Sequence, residues 1–247
     1  MTSKGNSNYS LFIDRDSRKV EITKNAITTS FPLNNIPYRL YQAIANLADE
    51  QECDELGSIS IAKSPVHKAN VVTYLPTSPF RVNIAPKFIR LTMTDSEIEQ
   101  RIDDLEGELL SLQGSNYDDA IQSAKVLYRQ LHSDESRIDS LRLGAVEMYG
   151  SSTYHNLLLD PRASLGFTWY EKEQSDYVGY QLNCITQIFS PGTLFYRYMR
   201  VMRALFASGW LDVGYDEYVC AYCFWVGEVK EKTLQNKSGF DHSIPDE

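Results

Sequence analysis

One stretch of the chain carries a complete helix pattern, from its start to its end. Thr94-Asp95-Ser96-Glu97 forms a capping box, in which the Thr hydroxyl can accept a hydrogen bond from the backbone N–H three residues on. Apolar residues then recur at alternating steps of four and three, which places them in one seam on one helix face. The seam comprises Ile98, Ile102, Leu105, Leu109 and Leu112. A second apolar stripe follows Gly114-Ser115-Asn116, so the pattern predicts a helical hairpin that packs against another surface.

The remaining elements follow from shorter apolar patterns. Strand patterns cover residues 9–13, 19–22, 58–62, 70–74, 81–84, 88–93, 141–149, 163–170 and 177–188, and helix patterns cover 32–51, 151–159 and 193–207. Residues 218–229 suit a strand by their aromatic and β-branched content, and a helix by their acidic start and basic end; we prefer the strand.

Strands and helices come in separate runs, which argues against a doubly wound parallel sheet. The predicted fold class is therefore α+β, with small antiparallel sheets and a helical hairpin inserted between an N-terminal and a C-terminal α+β unit. The three units are expected at residues 1–93, 94–135 and 136–247, and the last contains an apolar helix at 193–207.

Composition narrows the class of protein. A hydrophobic share of 43% in 247 residues is enough for a packed core. The formal net charge of −9 argues against a non-specific nucleic-acid binder, which needs clustered Lys and Arg. The first residues lack the apolar region of a signal peptide, and no apolar run is long enough to cross a membrane. We therefore expect a cytoplasmic protein that binds neither membrane nor nucleic acid.

Cysteine and histidine spacing gives no metal site. Cys220-Ala221-Tyr222-Cys223 is a CxxC, but its flanks are apolar and no second ligand pair accompanies it. On a strand its two thiols would point to opposite faces. We expect structural thiols, no metal and no cofactor. His132 lies at the predicted end of a helix, where the helix dipole would stabilise its cationic form.

An arginine stripe is the strongest candidate for a binding site. Arg197, Arg200 and Arg203 recur at steps of three on the apolar helix, and no acid stands at helical spacing from them. Guanidinium groups suit carboxylates and phosphates. The stripe is therefore expected to face solvent, a small anion or an acidic partner surface.

Two segments resemble known families. Residues 149–157, followed by Asp160-Pro161-Arg162-Ala163-Ser164-Leu165 and Phe167-Thr168-Trp169, resemble one segment of the flavin-binding split barrels of the pyridoxamine-phosphate-oxidase type. In that family a helix ends at a similar Pro-Arg/Lys-Ala-Ser/Ala-Leu run and enters a barrel strand. The family's preceding phosphate-binding Arg-Lys pair is replaced here by Thr153-Tyr154-His155. This resemblance implies a barrel fold and a flavin cofactor.

The second resemblance concerns the start of the chain. Leu11-Phe12-Ile13-Asp14, Val20-Glu21-Ile22 and Tyr38-Arg39-Leu40-Tyr41 are similar to the opening of the winged-helix domains of response regulators, in which a small sheet leads into a first helix.

No GxSxG, P-loop or GxGxxG motif occurs, so no motif indicates a reaction. The main functional prediction is a non-catalytic intracellular interaction or assembly protein. It would bind a protein partner, or itself, through the coiled-coil-like seam of Ile98, Ile102, Leu105 and Leu109 and through the arginine stripe. The alternatives are a cofactor-binding enzyme of the flavin split-barrel type, whose site would use residues 149–165, and a degenerate winged-helix regulator.

Overall fold

A computed structural model gives the fold of this chain. It describes residues 8–48, 66, 68–75, 79–112, 117–171, 176–205 and 218–233. The strand predicted at 58–62, the break at 114–116 and residues Cys53, His67 and His242 lie outside the described residues.

Three N-terminal strands form a small antiparallel sheet. They are β1 (Ser10–Asp14), β2 (Lys19–Lys24) and β3 (Ile27–Pro32), in the order β1-β2-β3. The predicted hairpin of β1 and β2 is confirmed, but β3 was not predicted. The helix expected at 32–51 is shorter: α1 spans Tyr38–Ala45 and ends in a single 3-10 turn. Pro37 disfavours helical geometry at the residue before it, which keeps the preceding segment extended.

Seven further strands form one large antiparallel sheet. They are β4 (Lys68–Tyr74), β5 (Val82–Phe88), β6 (Arg90–Met93), β7 (Ile138–Glu147), β8 (Arg162–Glu171), β9 (Asp176–Phe189) and β10 (Cys220–Glu231). Their order is β5-β4-β8-β9-β10-β7-β6. The α+β class and the strand at 218–229 are confirmed. The expectation of small sheets holds only for the N-terminal sheet, because the large sheet takes strands from both sides of the helical hairpin.

The large sheet curls because its two edge strands, β5 and β6, are consecutive in the chain. β5 pairs with β4 at one edge and β6 pairs with β7 at the other, yet only Ile89 separates them. Consecutive Cα atoms are about 3.8 Å apart, so Phe88 and Arg90 can be at most about 7 Å apart. The two edges must therefore approach each other. The sheet is a curled half-barrel, and Lys87 on β5 contacts Glu147 on β7 at the point of closure, with 2.7 Å between Nζ and Oε2.

Alternation along the strands separates the interior of the half-barrel from its outer wall. On β8, Leu165 and Phe167 are buried in the interior, whereas Arg162 and Thr168 are exposed. Successive residues of a strand point to opposite faces, so the exposed set lies on the outer wall. The outer wall at β8 and its neighbour β9 therefore carries polar side chains.

Helices cover other parts of the sheet. They are α2 (Asp95–Leu112), α3 (Tyr117–His132), α4 (Ser152–Leu159) and α5 (Leu194–Ala204). The predicted cap of α2 is present, since the Glu97 N–H donates to Thr94 Oγ1 at 3.3 Å. The seam of Ile98, Ile102, Leu105 and Leu109 is buried, and α2 packs on α5 of the same chain.

Because this seam is buried, substitutions of two leucines of α2 are expected to lower the free energy of unfolding by different amounts. Leu105 is 1% exposed and Leu110 is 54% exposed. Leu105→Ala leaves a cavity between α2 and its neighbours, so we expect it to lower the free energy of unfolding by about 2–5 kcal/mol. The matched control Leu110→Ala is expected to change it by no more than about 0.5 kcal/mol. Chemical denaturation of both variants measures this, and equal losses would show that the seam is not packed.

Candidate functional site

An open cavity of about 1510 Å³ lies on the outer wall of the half-barrel. Strands β4, β8, β9 and β10 form one side of it. The end of β3 and the residues that follow it, together 31–37, form the other. The lining residues are Arg18, Phe31, Pro32, Asn34, Asn35, Pro37, Val72, Thr73, Tyr74, Val82, Arg162, Ala163, Ser164, Gln181, Asn183, Cys184, Ile185, Gly227, Glu228 and Val229.

A strap of chain, residues 33–37, is tied to β10 beside this cavity. The Asn34 backbone N–H donates to Val226 O at 2.8 Å, and its side-chain amide donates to Gly227 O at 2.6 Å. A β-bulge between Val226 and Glu228 exposes these carbonyls to the strap. A Cβ at Gly227 would lie 3.2 Å from the backbone oxygen of Asn183 on β9. Glycine therefore permits the close approach of β10 to β9 at this bulge.

A row of polar side chains crosses the cavity floor on three adjacent strands. Asn183 on β9 pairs directly with Ser164 on β8 and with Glu228 on β10. Its Oδ1 accepts from Ser164 Oγ at 2.6 Å and from Gln181 Nε2 at 2.9 Å, and its Nδ2 donates to Glu228 Oε2 at 2.5 Å. These bonds fix the amide, so the row holds its donors and acceptors in set positions.

Two arginines line the cavity in different electrostatic settings. Arg162 is clasped by Asp160, with Nε 2.8 Å from Oδ1 and Nη2 2.5 Å from Oδ2. Burial alone would raise the pKa of Asp160, but the bonds from Arg162 lower it below its ordinary value. The guanidinium of Arg18 bonds to Asn35 Oδ1 instead. Within the described part of the chain, no carboxylate lies at ion-pair distance from Arg18.

A buried carboxylate closes the half-barrel at the point where β5 approaches β7. Glu147 is 3% exposed and accepts from Lys87 Nζ and from the Tyr222 hydroxyl, each at 2.7 Å. The backbone N–H groups of Tyr149 and Gly150 also donate to it. Burial alone would raise the pKa of Glu147, but the bonds from Lys87 and Tyr222 hold it below its ordinary value. The carboxylate is thus saturated, and it fixes the turn that leads into α4.

The arginine stripe does not line this cavity. Arg197 donates to Asp103 Oδ1 and Glu106 Oε2 of α2, each at 2.6 Å. The guanidinium of Arg197 is therefore paired with acids of the same chain. Arg203 stacks over the ring of Phe88 with its guanidinium carbon 4.7 Å from the ring centroid, and Arg200 is half-buried. The acids that meet Arg197 come from another helix, which spacing within α5 could not reveal.

Three cysteines, Cys184, Cys220 and Cys223, and His132 are buried. Cys220 and Cys223 lie on β10, and burial raises the pKa of each thiol to about 12. No group of three His, Cys, Asp or Glu among the described residues could hold a metal. The expected cationic His132 is wrong: burial lowers its pKa to about 4, so the ring is neutral at pH 7. Its Nδ1 lies 2.8 Å from Tyr128 O.

Comparisons with known proteins extend this description. No protein-family model matches the chain, and no curated protein matches it. Several solved structures are similar to it at low identity, among them the following three. A HupZ structure of Group A Streptococcus is 13% identical over 81% of this chain and 98% of that chain, with a TM-score of 0.40.

The other two structures are named as FMN-binding proteins. One, from Syntrophomonas wolfei subsp. wolfei, is 10% identical over 80% of this chain and 88% of that chain, with a TM-score of 0.40. The other, from Nostoc punctiforme PCC 73102, is pyridoxamine 5'-phosphate oxidase-related. It is 11% identical over 82% of this chain and 88% of that chain, with a TM-score of 0.41.

The main functional prediction, a non-catalytic assembly protein with a coiled-coil seam, is wrong. The seam is covered by the chain's own α5, and Arg197 is paired with acids of α2. Among the described residues, no helix is long and apolar enough to cross a membrane.

The buried His132 predicts a specific pH dependence of stability. Its folded pKa of about 4 lies below the unfolded value of about 6.5, so the unfolded chain binds more protons between these limits. The contribution of His132 is fully present above about pH 6.5 and is lost as the pH falls toward about 4. We expect His132→Leu to flatten the fall of the thermal midpoint over this window.

The matched control is His155→Leu, which removes an exposed histidine from α4. It should retain the wild-type profile. If His132→Leu follows the wild-type profile as well, the neutral buried state of His132 is refuted.

Proposed function

We propose that the chain is a flavin-binding protein of the split-barrel type, and that flavin mononucleotide binds in the outer-wall cavity. One coincidence carries this proposal. The run Asp160 to Leu165, which resembles the flavin split barrels by sequence, leads from α4 into β8, and two of its polar residues, Arg162 and Ser164, line the cavity. Sequence resemblance and cavity thus identify the same segment.

The lining residues suit the parts of a flavin. The ring has a polar edge, and the row centred on Asn183 supplies donors and acceptors for it. Val72 and Val82 offer apolar surface to the ring itself. Arg162 is the cation for the phosphate, in place of the family's Arg-Lys pair. Its Nε and Nη2 bond Asp160, which leaves the Nη1 donors for a phosphate oxygen.

A bound flavin would supply hydride or single-electron transfer at its ring. The contribution of this chain is binding and orientation. Asn183 is held by three hydrogen bonds, so it would orient the ring edge without first having to be ordered. The strap tied to β10 forms one side of the cavity.

Titration of the purified protein with FMN and with riboflavin tests the phosphate assignment. We expect the wild type to bind FMN more tightly than riboflavin. Arg162→Gln removes a charged hydrogen bond worth about 1.5 kcal/mol or more, so FMN affinity should fall roughly tenfold while riboflavin affinity is unchanged. Arg137→Gln, an arginine outside the cavity, is the matched control. If neither flavin binds the wild type, the proposed function is refuted.

The ring-edge assignment has the opposite signature. Asn183→Ala removes the centre of the polar row but no charge. We expect it to lower the affinities for FMN and riboflavin by the same factor, because both molecules contain the ring and differ only in the phosphate. Fluorescence quenching measures both affinities. A loss confined to FMN would place the phosphate, rather than the ring, at Asn183.

A further inference from the structure

The cavity is larger than one small ligand needs. Its volume of about 1510 Å³ exceeds the range of about 300–1,000 Å³ that most small-molecule sites span. The two arginines that line it stand on different elements. Arg162 opens β8, whereas Arg18 lies beside the strap that is tied to β10. Strands β8 and β10 flank β9, so they are about 10 Å apart. The cavity therefore has room and a separate cation for a second molecule.

Arg18 has a backbone conformation that arginine rarely adopts. Its φ is +53°, in the left-handed region that favours glycine and asparagine. The conformation is enforced by hydrogen bonds on both sides: Arg18 N–H donates to Arg15 O at 3.3 Å, and Leu33 N–H donates to Arg18 O at 2.8 Å. A strained residue that lines a cavity is a candidate for a function that the strain serves.

The turn that carries Arg18 is anchored to the half-barrel. Arg15, three residues earlier, donates to Asp139 Oδ2 at 2.5 Å and to Asp95 Oδ2 at 2.8 Å. Its guanidinium carbon also lies 5.0 Å from the ring centroid of Trp225. Asp139 is buried, so this anchor is partly shielded from water. The backbone of Arg18 is therefore already placed before any ligand binds.

Charge distinguishes Arg18 from Arg162. Arg162 is paired with Asp160 through Nε and Nη2, so only its Nη1 donors remain. The partner of Arg18 is the neutral oxygen of Asn35, which also accepts from Ser140 Oγ at 3.1 Å.

Among the described residues, no carboxylate lies at ion-pair distance from Arg18. The carboxylate of Glu228, which lines the same cavity, bonds to Asn183 and pairs with Lys230 instead. The guanidinium of Arg18 has further donors for an anion.

We propose that Arg18 binds the anionic group, a carboxylate or a phosphate monoester, of a substrate that shares the cavity with the flavin. The flavin part of this statement rests on the proposed function. The anion site rests on Arg18 itself, and the two can be tested apart.

The test uses benzoate, phenyl phosphate and neutral benzamide as probes of the full-length protein, by calorimetry, with and without saturating FMN. We expect at least one anion to bind more tightly than benzamide, and the tighter of the two identifies the anionic class. Arg18→Asn keeps a residue that tolerates the left-handed backbone and removes the guanidinium, with its charge and its bond to Asn35. It should lower the affinity for the anion about tenfold and leave the affinities for benzamide and FMN unchanged. The neighbouring exposed Lys19→Asn makes the same change in net charge and should have no effect.

Three results would overturn the inference. The first is that neither anion binds more tightly than benzamide. The second is that Arg18→Asn retains wild-type affinity for the anion. The third is that Arg18→Asn weakens FMN but not riboflavin, which would make Arg18 the ligand of the flavin phosphate. If FMN fails to bind while anion binding still depends on Arg18, the flavin assignment falls and the anion site stands.

Discussion

The single-residue link between β5 and β6 is the constraint on which the rest of the structure depends. Ile89 alone separates two strands that pair at opposite edges of a seven-stranded sheet, so the sheet must curl. Curling encloses an apolar interior and brings Lys87 on β5 to Glu147 on β7. The carboxylate, buried there with four donors around it, then fixes the turn into α4 and hence the start of β8.

The candidate site is a consequence of the same curvature. Strands β8, β9 and β10 turn their polar side chains outward, and the row centred on Asn183 runs across them. The bulge at Gly227 interrupts β10 where the strap docks. A curved wall on one side and a strap on the other enclose the cavity, and the N-terminal hairpin places Arg18 at its side. The N-terminal sheet thus contributes to the site as well as to the core.

Sequence reasoning succeeded where the signal was local and failed where it was not. The capping box and seam of α2 and the alternation of β8 carry their own periodicity, so both were predicted. The partners of Arg197 lie on α2, far away in sequence, so spacing within α5 did not reveal them. The burial of His132 and the placement of β5 and β6 at opposite edges of one sheet also depend on tertiary contacts. The run from Asp160 to Leu165 indicated the position of the cavity, but no local signal indicated Arg18 or Asn183.

The topology also bears on the order in which the chain can fold. β4 pairs with β8, so Val71 must find Leu165 across the whole inserted hairpin. Such distant pairings slow folding, because the intervening chain must be ordered first. During synthesis the β4–β5 hairpin emerges long before β8, and until then the free edge of β4 is open to wrong partners. Helix α2 must wait longer still, because its main packing partner is α5, which follows β9 in the chain.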